Sequence, residues 1–430
     1  MKRLKKIRIM ILIVIAVMLL SACAGNKEGQ EGNAEEGRKN VSIAVMSSDR
    51  FLESAVQKFE ALHPDIHIEI KEFLAMPKSE NGMSAAISQT DMEKFIQTVT
   101  TQAISGKSSD LILMNNLPED KFVDKKLLAN FYDMMAEDPS FDKSKYYQNI
   151  LTGSQNGDGL YVMPIAFALD LIQGNTELME KAKIEIDDKT WTWDQVKQIS
   201  KKLQEQAGPD YTAFINLFSG QLLYDYIESN YSELVQQGKA NFDSDLFRDM
   251  MQQIKALYDE GTLKEEFSYD YDKALLSIGG FSSPEQANNP KTAFFQKPTV
   301  HGDGQGSGFK TYFKLGLNSK SKARQEAWEF IKFLLSDEMQ ASPDLMGIPL
   351  NRSVVDKKFT ELENEDNGTP AKEQIESVRN LLDKAGKKSE SDFKVASIAI
   401  EEFAAYMSGQ KSAEEVSRLI QNRVTTYLNE

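Results

Sequence analysis

Apolar positions set the first elements of the chain. Val41, Ile43 and Val45 alternate with polar or small residues, the period of a half-buried strand. Leu52, Ala55, Val56, Phe59 and Leu62 then recur at helical spacing, and His63-Pro64 ends that helix. Ile66, Ile68 and Ile70 alternate again, which completes a strand–helix–strand unit. Phe95, Ile96, Val99 and Ile104 mark a helix over Met92–Ile104, and Asp110–Met114 reads as a third strand. Strands alternating with helices predict an α/β body with a mainly parallel sheet.

The middle of the chain is less regular. Leu160–Met163 and Ile165–Ile172 are apolar runs joined through Pro164, which cannot donate to a ladder and belongs at a strand end or edge. Two readings stand here, a crossing between two lobes or two strands of one large sheet. Gly174–Asn175 closes the second run and opens a short helix to Ala182. Thr192 and Gln195 form a capping box for a helix carrying Val196, Ile199 and Leu203. Phe214–Tyr231 is an aromatic-rich helical segment, and Leu246, Met250, Ile254 and Leu257 line another helix. Ala274–Gly280 reads as a strand, and Ala293–Val300 repeats the strand–proline logic at Pro298. Tyr312–Leu317 is a strand, Ser319–Ser336 a helix with Trp328 in the core, and Ser412 caps a last helix with Val416, Leu419, Ile420 and Val424 inward.

The N-terminus changes the picture. Five basic residues (Lys2, Arg3, Lys5, Lys6, Arg8) precede Ile9–Leu20, an apolar run too short to span a bilayer. With Leu20-Ser21-Ala22-Cys23 behind it, this reads as a secretory signal peptide over residues 1–22. Those four residues resemble the bacterial lipobox, which implies a diacylglyceryl group on Cys23, the only cysteine in the chain. Residues 23–40 then form a lipidated, disordered tether, since they are rich in Gly, Asn, Gln and Glu. Loss of residues 1–22 removes five basic and no acidic residues and moves the net charge from −15 to −20. So acidic a body argues against a nucleic-acid partner, which needs a basic patch. At 430 residues there is room for two domains.

Familiar catalytic patterns are missing. The three histidines, His63, His67 and His301, lack the spacing of a zinc helix. No nucleophile elbow and no phosphate-binding loop occurs. His301–Gly308 alternates glycines without the spacing of a dinucleotide fingerprint and reads as a flexible loop. Residues 363–374 end in Gln374 where a calcium loop needs a bidentate Glu. No cofactor or metal is expected.

Several stretches carry a family resemblance. GLYVMPIAFALDLIQGNTELMEKAKI, TWTWDQVKQISKKL, SKSKARQEAWEFIKFLLS and GIPLNR resemble the extracellular solute-binding proteins of ABC importers, of the maltose-binding-protein-like kind. The resemblance implies the two-lobed type II periplasmic-binding-protein-like fold. Each α/β lobe is then a mainly parallel sheet flanked by helices, and hinge crossings at Pro164 and Pro298 join them. The expected boundaries are 41–164 with 298–340 for the N-terminal lobe and 165–297 with 341–430 for the C-terminal lobe.

Ligands of α/β sheets sit beyond the carboxyl ends of strands, which makes Ser47, Asp49, Asn115 and Asn116 candidate contacts. Ser47, Ser48 and Asp49 read equally as helix caps. Trp191 is a candidate for stacking on a sugar face, with the alternative that Trp191 and Trp193 pin a helix start. Tyr224 offers an apolar face with a polar tip. Phe281 follows the strand that the resemblance places at the cleft floor. The maltose-type pattern has an aromatic and an Asp-Arg pair after the third strand, where this chain has Met114 to Pro118. It has an acidic residue soon after the crossing proline, where Ala168 stands, and Asp170 is the candidate to compensate.

The expected function is capture of a solute, which the resemblance implies is a carbohydrate, by a monomer tethered to the outer face of the cell membrane, which delivers it to an ABC permease. Two alternatives stay open: an exported, lipid-anchored glycoside hydrolase, and a ligand-sensing receptor without transport.

Overall fold

The computed structural model describes residues 38–74, 87–299, 308–364 and 369–429. The expected signal peptide, Cys23, most of the tether and most of the glycine-rich loop at 301–308 lie outside those residues. Strand β1 (Lys39–Val45) carries buried Val41, Ile43 and Val45, and β2 (Ile66–Glu72) lies parallel to it with Val41 opposite Ile68. Helix Arg50–Leu62 crosses between them. Asp49 starts that helix by accepting from Leu52 N at 2.8 Å, and the C-terminal residue His63 caps Phe59 O. Strand β3 (Leu111–Leu113) joins β1 on the other side, also parallel.

Strand β4 (Val162–Asp170) leads into β5 (Ile172–Asn175), and β6 (Thr212–Phe214) follows the helix Trp193–Ala207. A short hairpin, β7 (Val235–Gln236) and β8 (Lys239–Ala240), precedes β9 (Ala274–Ile278) and β10 (Thr292–Phe295). The chain returns through β11 (Gly308–Leu317), β12 (Ile348–Pro349) and β13 (Lys387–Lys388). Seven strands make the larger sheet, in the order β12-β4-β11-β3-β1-β2 with β13 on the start of β11. Four make the smaller, in the order β10-β5-β9-β6. The sheets are mixed. β2, β1 and β3 run parallel as strand–helix–strand units require, whereas β11 enters antiparallel between β3 and β4.

Pro164 does not end a strand. It lies inside β4, whose residues from Val162 to Leu169 are all buried. Its missing N–H is tolerated because β11 shifts register between Phe313 and Lys314, opposite the proline. The chain leaves the large sheet at Leu171, beyond the expected crossing.

Hydrophobic clusters locate the two lobes. One gathers Val41, Phe59, Phe167, Phe309 and Phe330 with Val355, Phe359, Ile375, Val378 and Leu382. Another gathers Trp193, Leu223, Phe247, Met251 and Leu276 with Val395, Phe403, Val416 and Ile420. The stretches Ile348 to Leu362 and Ile375 to Ala385 therefore pack with the first lobe, against the expected boundary after residue 340. Phe281 also joins the first cluster. It exchanges backbone hydrogen bonds with Leu169, and its ring meets Phe294 edge-on at 5.1 Å. A third cluster, with Phe95, Met114 and Phe122, covers the other face of the large sheet.

Candidate functional site

The loop after β3 turns at Asn116, whose φ of 62° is left-handed, and enters the short helix Glu119–Asp124. Together with that helix it faces Tyr231, Val235 and the end of the last helix, Ala413–Asn429. Between them lies a pocket of about 260 Å³ with walls from both lobes. The first lobe supplies Leu117 to Lys121, and the second supplies Tyr231, Tyr427 and Asn429. The segment Lys388–Asp392, on its way from one lobe to the other, forms the back.

Charges at that back wall are matched. Lys314 of β11 is paired with Glu390 and lies 3.5 Å from Glu119, and Lys388 lies 3.0 Å from Glu119. Thr311 N donates to the other Glu390 oxygen at 2.7 Å. Burial alone raises a carboxyl, but Lys314 and Lys388 outweigh it and hold Glu390 at about 2. Asp392 goes the other way. Burial pushes its carboxyl up, although Tyr427 OH donates to it at 2.9 Å and the N–H groups of Lys394 and Val395 also reach it. The phenol of Tyr231 is raised by burial. The wall thus combines aromatic faces, carboxylate acceptors and ammonium donors, the mixture that orients a hydroxylated solute.

Two contacts span the lobes beside this pocket. Lys121 Nζ sits 5.7 Å from the centre of the Tyr427 ring. Lys394, in the first turn of the second-lobe helix Phe393–Met407, lies 2.9 Å from Glu93 of the first-lobe helix Gln89–Ile104.

A second ion cluster sits where the strands cross. Lys297 lies 2.6 Å from Asp170, and Lys310 lies 2.6 Å from Glu228 and 3.6 Å from Asp170. Asp225 is 3.5 and 3.7 Å from the two lysines. Burial raises Asp170, but Lys297 and Lys310 reverse this and leave the carboxyl lowered. For Glu228 burial wins over Lys310, and its carboxyl is raised.

None of the sequence-derived ligand candidates lines the pocket between the lobes. Asp49 is exposed and caps its helix through Oδ1, and Ser47 is half-buried just beyond the end of β1. Asn115 fastens β3 to β11, donating to Tyr312 O and accepting from Lys314 N. Asn116 is the exposed turn residue. Asp170 is in the ion cluster, with Tyr224 half-buried beside Glu228 and Lys310. Trp191 is buried and donates to Gln296 O at 2.9 Å, and Phe281 is wholly buried. Pro298 is buried where the chain leaves β10. The pocket's own residues gave no local signal except Tyr231, at the end of the aromatic segment.

The family model for bacterial extracellular solute-binding proteins matches residues 44–341. Among solved structures, the sugar-binding protein MalE from the phytopathogen Xanthomonas citri superposes with a TM-score of 0.64 at 16% identity, covering 91% of this chain and 98% of that one. An ABC substrate-binding protein from Listeria monocytogenes in complex with cycloalternan gives 0.61 at 14% identity, over 91% and 99%. An ABC transporter solute-binding protein from Thermotoga lettingae bound with α-D-tagatose gives 0.58 at 16%, over 91% and 100%. The chain belongs to the bacterial extracellular solute-binding proteins.

Proposed function

We propose that this chain is the lipid-anchored substrate-binding component of an ABC importer, that it takes a carbohydrate into the pocket between its lobes, and that it hands the solute to a permease. The observation that carries the reading is the pocket walled by Asp120 and Lys121 from one lobe and Tyr231 and Tyr427 from the other. A solute touching both walls favours the closed arrangement, which is what closure by a ligand requires. Moving the lobes from mostly open to mostly closed takes about 5.5 kcal/mol of preference for the closed state. Micromolar binding supplies about 8 kcal/mol in total, so the demand is within reach. The hinges are the three passages at Leu171, at Lys297–Pro298 and at Lys388–Asp392. Sugar ligands in the names of similar proteins support the carbohydrate class. The lipid anchor rests on the sequence at Cys23.

Titration with a panel of oligosaccharides and monosaccharides, followed by small-angle scattering, tests the reading. The expected result is a reversible fall in radius of gyration for one class of sugar. Appearance of cleaved product would instead point to a hydrolase, and no response across the panel would remove the carbohydrate assignment. Mass analysis of membrane-extracted protein tests the anchor, with a diacylglyceryl mass on Cys23 expected.

A further inference from the structure

At the end of the first lobe where the chain enters it, the amino ends of β1, β2 and β3 meet the carboxyl end of β11. Lys39 lies opposite Ile66 there, and Leu317 opposite Leu111. The helices Arg50–Leu62 and Gln89–Ile104 finish at the same end, each leading into the next strand. The turn after β11 is fastened to its neighbours. Asn318 Nδ2 donates to Ser109 O at 3.3 Å, Ser319 Oγ to Lys126 O at 2.8 Å and Ser321 Oγ to Asp110 at 2.7 Å. Lysines on and beside this turn are therefore carried by a fixed surface. The solute pocket lies at the opposite end of the same strands, beyond β3 at Leu117 to Lys121.

Arg38 and Lys39 are neutralised here by Glu60 and Glu326. Lys107, Lys126, Lys320 and Lys322 are exposed, and none of them has a carboxylate partner among the described residues. Asp65 before β2 and Asp158 before β4 stand against these four, while Asp124 lines the pocket between the lobes instead. Leu62 and Ile104, the last residues of the two helices, add apolar surface, 63% and 50% exposed. The chain as a whole is acidic. Its net charge without residues 1–22 is −20 (−15 − 5), and an anionic surface repels such a body. An orientation with the four lysines foremost is the attractive one.

In sequence Cys23 stands fifteen residues before Arg38, a length that spans at most about 50 Å when fully extended. We propose that this end of the first lobe is a docking face for the anionic phospholipid surface on which the chain is anchored. The choice of partner rests on the lipid proposed at Cys23, which keeps this end within that reach of the bilayer. Each lysine close to an anionic membrane is worth about a fivefold preference for it, and exposed Leu62 and Ile104 suit the region between head groups and acyl chains. Salt screens the attraction over about 8 Å at physiological strength, so the contact is reversible.

Energy transfer to an acceptor-labelled lipid tests the face on the mature, lipidated protein in vesicles of phosphatidylcholine with or without phosphatidylglycerol. A dye at Ser105→Cys reports this end, and a dye at Asn116→Cys reports the other end of β3, about 20 Å farther along the sheet. Transfer from the Ser105 position is expected to rise when phosphatidylglycerol is present and to fall back as salt is added, with no rise from the Asn116 position. Changing Lys107, Lys126, Lys320 and Lys322 together to Glu should abolish the salt-sensitive part and leave the unfolding midpoint nearly unchanged. If that variant folds poorly, the lipid and salt dependence of the unaltered lysines decides alone. Equal transfer from Ser105 on the two kinds of vesicle overturns the proposal, as does a rise that survives the charge reversal. Lysine-dependent binding to soluble heparin without any response to phosphatidylglycerol would assign the face to another polyanion and also overturn it. Absence of a diacylglyceryl mass on Cys23 would remove the anchor and not the face. The unlipidated chain should then still sediment with phosphatidylglycerol vesicles at low salt, and failure to do so overturns the face itself.

Discussion

Lys394 Nζ lies 2.9 Å from Glu93 Oε1 and ties the first turn of a second-lobe helix to a helix of the first lobe. The two side chains are 35% and 39% exposed, so the pair is worth at most about 1 kcal/mol and is screened by salt. It forms only when the lobes are close, which makes it a bias on closure more than a support of the fold. Lys394→Ala should leave the unfolding midpoint nearly unchanged and weaken solute affinity by up to about fivefold at low salt. The difference should shrink as salt rises. An equal loss at all ionic strengths would show that Lys394 acts by something other than the pair.

Lys310 and Glu228 are joined at 2.6 Å, with the carboxylate buried and the lysine side chain 30% exposed. Removing one partner of a buried pair leaves an uncompensated charge, at a cost of about 3–5 kcal/mol. Lys310→Met leaves Asp170, Asp225 and Glu228 facing Lys297 alone, and should lower stability in urea denaturation by less than that, because solvent reaches Lys310. The double variant Lys310→Met with Glu228→Leu should recover part of the loss. Failure to recover any would mean that Asp170 and Asp225, not Glu228, are the groups that need Lys310.

Glu390 gives a pH dependence with a definite sign. Its folded carboxyl is held at about 2 against an ordinary value of 4.5, so the unfolded chain binds the proton more readily. The resulting stabilisation is complete above pH 4.5 and is lost as pH falls towards about 2. Glu390→Gln should flatten the acid limb of stability measured by denaturation between those limits. It should also lower stability at neutral pH, because Lys314 and Lys388 are left to share Glu119 alone.

The parts of this fold that were legible are those where a local pattern has one physical outcome. Alternating Val41, Ile43 and Val45 fit a sheet, and the spacing of Leu52 to Phe59 fits a helix lying on it. Pro164 misled because the rule about prolines assumes a regular partner strand. The irregularity that frees Pro164 from donating is in β11, far along the chain. The boundary after residue 340 failed for a related reason. Helix Arg352–Asn364 is amphipathic in either lobe, and only the identity of its partner decides which. Site residues were harder still. Asp49 and Asn115 have the chemistry of ligand contacts, and the same chemistry serves a helix cap at Asp49 Oδ1 and a strand end at the Asn115 amide. Glu119, Lys314 and Glu390 meet from three distant segments, and none of them has a neighbour in sequence that announces the meeting.

Phe281 and Tyr231 separate core from site in one experiment. Phe281 is wholly buried against Phe294 and Leu169, so Phe281→Ala opens a cavity and should cost about 3–5 kcal/mol of stability. Its effect on solute affinity should be small under conditions where the protein stays folded. Tyr231 lines the pocket between the lobes with part of its ring at the surface. Tyr231→Ala should cost less stability than Phe281→Ala and weaken solute binding by tenfold or more, since aromatic anchors in a pocket centre carry much of the binding energy. Paired measurements of unfolding and of solute affinity on the two variants decide the matter. If Phe281→Ala lost the solute while Tyr231→Ala kept it, the binding surface would lie on the Phe281 side of the crossing strands, and the pocket at Tyr427 and Asp392 would not be where the solute sits.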